Sequence, residues 1–140
     1  MALRFHPRVG MILECDFSQG FKEPEMVKKR PVLVLRTKGE LVTVVALSTK
    51  EPSPIEKFHY AVPKQSMPQI GRFQKKDTWL KGDMIYTVGF HRLDLIRLNK
   101  RDPNTGRRVY FQNRLGGGQM KTIKGCVLHG IGMGDIVGHL

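Results

Sequence analysis

Two short segments of the chain carry side chains suited to holding a phosphate. One is Glu25-Met26-Val27-Lys28-Lys29-Arg30-Pro31, the other Ala46-Leu47-Ser48-Thr49-Lys50. Between them Arg30–Thr37 reads as a strand and Leu41–Ser48 as a second, joined by the tight reversal Lys38-Gly39-Glu40. A hairpin of this kind brings its outer ends together, which sets Arg30 near Ser48, Thr49 and Lys50. A guanidinium offers a planar fork matched to a phosphate. The hydroxyls add short donors, and Lys28, Lys29 and Lys50 add charge. The competing reading is a strand end decorated with polar residues.

Other chemistries find less support. Cys126 and His129 fall on one helix face at a spacing of three, as two zinc ligands would. No second close pair accompanies them, so a packed thiol beside a half-buried imidazole is the simpler reading, and neither a metal nor a cofactor is expected. There is no Gly-x-Ser-x-Gly elbow and no Gly-rich phosphate loop ending in Lys-Ser/Thr. The stretch Gly130-Ile131-Gly132-Met133-Gly134 superficially matches a dinucleotide fingerprint. It follows a helix and has no room for the βαβ unit that fingerprint requires.

The elements that must position these residues are mostly short strands. Gly10–Phe17 alternates like a strand, and Ser18–Lys29 reads as a loop broken by Gly20 and Pro24. The Val32-Leu33-Val34-Leu35 run implies burial on both faces, with Pro31 confined to the start of its strand or to an edge. Phe58–Val62 is a brief strand, and Pro63–Lys76 is rich in turns. Trp79–Val88 has strand character around a Gly82-Asp83 turn. Leu93, Ile96 and Leu98 suggest a helical turn or two over Arg92–Leu98. Asp102-Pro103-Asn104-Thr105-Gly106 is a strong turn signal between two strand-like segments, hence a hairpin extension. Gly116-Gly117-Gly118 breaks the chain. Gln119–Ile131 then places Met120, Ile123, Val127 and Ile131 on one face of an amphipathic helix. The tail over 131–140 reads as loose. The expected fold is mostly β, a small curved antiparallel sheet or partly open barrel closed by a C-terminal helix.

With 140 residues the chain has the length of one domain, 1–140. Its longest aliphatic run is far short of the ~20 residues that span a bilayer, and Arg4, His6 and Arg8 interrupt any signal-peptide pattern. Cys15 and Cys126 read as buried thiols of a reducing, cytoplasmic protein. The net charge of +12 is distributed as 11 basic against 7 acidic side chains in residues 1–70, and 13 against 5 in residues 71–140. Such an excess attracts polyanions, nucleic acid first among them, ahead of an acidic protein or a membrane surface. No run exceeds the three residues Lys28-Lys29-Arg30, so any patch must assemble in three dimensions.

Four stretches occur in an informative order. Phe5-x-Pro7-x-x-Gly10 leads into Met11-Ile12-Leu13-Glu14-Cys15-Asp16-Phe17. Glu25 precedes Arg30-Pro31-Val32-Leu33-Val34-Leu35 by a short loop. Val44-Val45-Ala46-Leu47-Ser48-Thr49 ends a strand, and Leu93-Asp94-Leu95-Ile96-Arg97-Leu98 follows later. Together they resemble the PemK/MazF-type toxins of bacterial type II toxin–antitoxin systems. The resemblance implies a small SH3-like barrel with added helices, a homodimer, and sequence-selective, metal-independent cleavage of single-stranded RNA. It also implies an antitoxin partner whose acidic, flexible tail covers the RNA groove.

The family's catalytic arginine matches Arg30, and its catalytic threonine matches Ser48, with Thr49 next to it. Ser48 keeps the hydroxyl but departs from threonine, His91 falls about where many members have arginine, and Asn99–Arg114 is longer than the family leads one to expect. In the implied reaction the ribose 2′-hydroxyl attacks the adjacent phosphate. Orientation supplies much of the acceleration of such an intramolecular step. Arg30 suits charge stabilisation, Ser48 or Thr49 a hydrogen bond to a non-bridging oxygen, and Glu25 or His91 a proton transfer. Phe21, Phe58, Tyr60 and Trp79 are candidates to stack on bases. Arg101, Arg107, Arg108 and Arg114 would widen the RNA footprint. Two other functions fit the same composition: a non-enzymatic toxin of this fold that binds DNA gyrase, and a basic nucleic-acid-binding module without catalysis.

Overall fold

Apolar runs in the first half of the chain build the sheet. A computed structural model describes Leu3 and residues 6–140; Phe5, which opens the first motif, lies outside the described residues. β1 (Ile12–Asp16), β2 (Lys29–Lys38), β3 (Leu41–Ser48) and β4 (His59–Val62) lead to a 3₁₀ turn and a one-turn helix, α1 (Gly71–Gln74). There follow β5 (Thr78–Gly89), a 3₁₀ turn at Phe90–Arg92, β6 (Leu93–Asp94), β7 (Ile96–Arg101) and β8 (Arg108–Phe111). α2 (Gly117–Gly130) and a 3₁₀ helix at Gly134–His139 end the chain. Six strands pair antiparallel in the order β4-β5-β3-β2-β1-β6, and β7 pairs with β8 in a separate two-stranded sheet. The architecture is mostly β with a C-terminal helix, as expected. The sheet stays open, with β4 and β6 as its edges.

β2 explains why both faces are covered. Val32, Leu33 and Val34 are all fully buried, yet Leu33 joins one core cluster while Val32 and Val34 join the other. Successive strand residues point to opposite faces, so one strand feeds two cores. The first core holds Ile12, Leu33, Val45 and Leu80 and is closed by Ile123 and Met120 of α2. The second holds Leu13, Cys15, Phe17, Val44 and Val88, and Phe21, Met26 and Tyr86 pack against it. Gly39, at a φ of 59°, supplies the left-handed residue that turns β2 into β3.

Several local expectations are corrected. The Gly82-Asp83 turn is a bulge inside one continuous strand: Val45 pairs with Ile85, while its neighbour Ala46 pairs with Lys81. The cause is tertiary. A Cβ on Gly82 would lie 2.6 Å from the Cys126 carbonyl oxygen and 2.7 Å from that of Phe58, so the β5 backbone is pressed between α2 and the β4 side. Gly130 makes the reciprocal close approach to the Gly82 backbone.

Arg92–Leu98 is extended beyond a 3₁₀ turn. Leu93 and Leu95 face the second core, while Ile96 and Leu98 face the first, a period-two alternation with one switch of face. α2 starts at Gly117, because first-turn amides need no intrahelical partner and glycine is tolerated there. Ile131 lies past the helix end and is 52% exposed, so it is not part of the buried stripe. The tail over 131–140 contains the 3₁₀ helix Gly134–His139, and a Cβ on Gly125 of α2 would meet Val137 at 3.6 Å. The hairpin extension is present, anchored by buried Ile96 and Phe111.

Candidate active site

Pro31 determines how β2 and β3 end. It pairs with Glu14 of β1, but the β2–β3 ladder stops at Val32–Ala46. Proline has no N–H to extend that ladder. Two residues beyond the last pair on each strand stand Arg30 and Ser48, on the face shared by Val32 and Ala46. Arg30 is also registered against Cys15 of β1, and Ser48 against Trp79 of β5. One patch of one sheet face therefore carries Cys15, Arg30, Ser48 and Trp79.

The polar groups in this patch are not satisfied internally. Arg30 is half-buried, and its Nε is buried with no hydrogen-bond partner among the described residues. Ser48 Oγ accepts the Lys50 N–H at 3.1 Å, which leaves the hydroxyl hydrogen free to donate outward. An unpaired guanidinium N–H beside a free hydroxyl donor is suited to an oxyanion. Beneath them Cys15 is fully buried, and burial pushes its thiol up to about 12, an effect that nearby Arg92 reduces and Asp16 reinforces. A thiol held protonated in this way is a packing group and not a nucleophile.

The loop between β1 and β2 covers the same face. Its Met26 N–H donates to the Tyr86 hydroxyl at 3.0 Å, and Phe21 and Tyr86 both pack on Phe17. Burial raises the Tyr86 phenol, an effect opposed by that hydrogen bond and reinforced by the charge of Glu25. Glu25 is exposed on this loop, its carboxylate accepting the Lys22 N–H at 3.1 Å. Lys28 is exposed just before β2. Arg92, which sequence reasoning missed, fastens the loop. It donates to the carbonyls of Asp16 (3.0 Å) and Gln19 (2.7 Å), and its guanidinium lies 4.7 Å over the Phe21 ring.

Not every expected residue joins the Arg30 patch. Lys29 and His91 line a small cavity with Glu14, Asp16, Arg92 and Asp94. Glu14 and Asp16 alternate with Cys15 along β1 and so point away from the Arg30 face, while Arg92 completes the cavity at the β1–β6 edge. Hydrogen bonds from the Ser18 hydroxyl and N–H hold the Asp16 carboxyl below the usual carboxylate range, with Lys29 and Arg92 adding to the effect. Thr49 and Lys50 face a separate groove with Trp79 and three lysines that sequence reasoning missed, Lys64, Lys75 and Lys76. The adjacent Lys75-Lys76 pair, three residues before Trp79, was the available signal. Of the arginines expected to widen a footprint, Arg114 is occupied at its Nε by the Val9 carbonyl, at 2.8 Å. Among the described residues no cluster of histidine, cysteine or acidic side chains suits a metal ion, and no helix is long and apolar enough to cross a membrane.

Known proteins place this arrangement. The chain is 35% identical to an uncharacterized protein of Haemophilus influenzae, over 66% of this chain and 73% of the relative. It is 31% identical to the putative uncharacterized protein YifN of Escherichia coli, over 69% of this chain and 78% of the relative. Among solved structures, MazF from Deinococcus radiodurans superposes with a TM-score of 0.58 at 14% identity, covering 92% of this chain and 99% of that one. The Mycobacterium tuberculosis toxin MazF-mt6 gives 0.52 at 14% identity, covering 86% and 96%. At that identity the two structures speak for the fold. The family model of the PemK-like, MazF-like toxins of type II toxin–antitoxin systems matches residues 8–108, and the chain belongs to that family.

Proposed function

We propose that this toxin is a metal-independent, sequence-selective endoribonuclease acting on single-stranded RNA in the cytoplasm. It works as a homodimer and is neutralised by an antitoxin with an acidic segment. The observation that carries the reading is the half-buried Arg30 two residues past the last β2–β3 pair, on the face it shares with Ser48, whose oxygen is already occupied by the Lys50 N–H. The outer nitrogens of the Arg30 guanidinium and the Ser48 hydroxyl have donors to give and, among the described residues, no protein acceptor to receive them.

In the reaction the ribose 2′-oxygen forms a bond to the adjacent phosphorus, and the bond from phosphorus to the 5′-oxygen breaks. The 5′-oxygen takes a proton from solvent water as it leaves, and the products are a 2′,3′-cyclic phosphate and a 5′-hydroxyl. Arg30 and Ser48 donate to the non-bridging oxygens, where charge builds in the transition state. Arg30 stays protonated and acts by its field and hydrogen bonds. Glu25, on the loop that covers the Arg30 face and runs directly into β2, is better placed than His91 to accept the 2′ proton. Thr49 and Lys50 flank the scissile group on the groove side. A substrate pair tests this: single-stranded RNA and DNA of one sequence, each with wild-type and Arg30→Ala protein. The reading expects the RNA alone to be cut, and only by the wild type. Cleavage of the DNA, or full cleavage of RNA by a folded Arg30→Ala protein, would overturn it.

A further inference from the structure

Beside the Arg30–Ser48 patch lies a groove of about 510 Å³, within the range of small-ligand sites. Trp79 lines it, half-buried on β5 and paired in register with Ser48. Four lysines from three separate segments converge on it: Lys50 after β3, Lys64 in the 3₁₀ turn, and Lys75 and Lys76 after α1. Glu51 and Asp77 also line it, leaving an excess of positive charge. The Lys64–Asp77 pair is 4.0 Å apart between largely exposed side chains, so it neutralises little. Lys50, Lys75 and Lys76 have no ion pair among the described residues. Bringing like charges together from distant parts of the chain is unfavourable without an anion to receive them. An indole and several ammonium groups lining one groove match the two parts of a nucleotide: a base that stacks and a phosphate that pairs.

We infer that this groove is a subsite for the single-stranded RNA nucleotide flanking the scissile one, its base stacked on Trp79 and its phosphate held by Lys50, Lys75 and Lys76. The inference rests on the ribonuclease reading for what the neighbouring site does, but its binding test does not need cleavage. Trp79 is the only tryptophan of the chain, so intrinsic emission reports on the groove and on the Arg30 patch it borders. A short 2′-O-methyl RNA of mixed sequence, which cannot be cut, is titrated into the full chain. Binding is followed by anisotropy of the labelled RNA and by tryptophan emission.

The subsite predicts quenching in step with binding, in the wild type and in Arg30→Met alike. Trp79→Ala should weaken binding roughly tenfold or more, with Trp79→Phe retaining most of it. Lys75→Glu with Lys76→Glu should weaken binding and make log K against log salt shallower by about 0.7, the contribution of the one phosphate that is no longer neutralised. Because those two lysines are exposed, this variant remains informative if Trp79→Ala fails to fold. Binding without quenching, an unchanged salt slope, or no binding would overturn the subsite. Quenching by poly-glutamate but not by RNA would assign the groove to an acidic peptide and overturn it as well. Cleavage without quenching sinks the subsite alone, and quenching without cleavage sinks the ribonuclease reading alone.

Discussion

Replacing Arg30 by methionine should make the protein more stable and inactive. In the folded chain the Arg30 Nε is buried with no acceptor among the described residues. Leaving a buried donor unpaired costs about 1–3 kcal/mol. Arg30 as a whole is only half-buried, so its outer nitrogens keep water and the penalty falls on Nε. Methionine retains the apolar stem that packs along the strand while deleting the guanidinium. The expected net gain is about 1 kcal/mol, a rise in Tm of roughly 2–4 °C for a chain of this size. The ligand response should invert. Saturating a non-cleavable RNA at 100 times its Kd stabilises a binding-competent protein by about 2.7 kcal/mol, and the variant, with one fewer group on the phosphate, should gain less. Differential scanning calorimetry with and without the RNA reads both effects. A fall in Tm equivalent to more than about 1 kcal/mol for Arg30→Met would refute the reasoning, since the guanidinium would then be satisfied within the fold.

Three further expectations follow from particular side chains. Gly82→Ala should destabilise by about 1–3 kcal/mol or more, because the new Cβ meets two backbone carbonyls that cannot rotate away. Gly118→Ala, with nothing within 4 Å, should be neutral or stabilising by up to about 1 kcal/mol, and urea titration of both checks the contrast. Burial raises the Cys15 thiol from 9.0 to about 12, so the unfolded chain loses that proton first and stability should fall as pH rises through this window. The slope approaches about 1.4 kcal/mol per pH unit, and urea midpoints across it should fall less steeply in Cys15→Ala. Arg101 and Arg108 face each other across the exposed β7–β8 hairpin. Arg108→Glu turns that repulsion into attraction, so it should raise stability by about 0.2–1 kcal/mol while weakening RNA binding at low salt; thermal melts and anisotropy report the two signs.

The sequence made the Arg30–Ser48 juxtaposition legible because it depends on local features. A glycine reversal, two strands of similar length and a period of two suffice to fix which ends meet and which residues share a face. The Val32–Leu35 run likewise announced a strand with a core on either side. The bulge in β5 was illegible because its cause is the Cys126 carbonyl, supplied by a helix far along the chain. Gly-Asp there carries the local signature of a turn. Arg92 gave no sign of its role, since its partners are carbonyls 73 and 76 positions earlier. Lys64, Lys75 and Lys76 sit in a turn-rich stretch where each reads as a solvated charge. Only the path of the chain through α1 gathers them beside Trp79. Lys29 shows the converse: next to Arg30 in sequence, it lines a different cavity with Glu14 and Asp16, and His91 lines that cavity too.

The central claim is that Arg30 and Ser48 cleave RNA by turning its own 2′-hydroxyl on the phosphate. The most direct measurement is the chemistry of the fragment ends when a long single-stranded RNA is incubated with purified protein in EDTA, beside Arg30→Met. The account predicts 5′-hydroxyl and 2′,3′-cyclic phosphate ends with the wild type and none with the variant. Intact RNA with a folded wild-type protein, or 5′-phosphate ends, would contradict it.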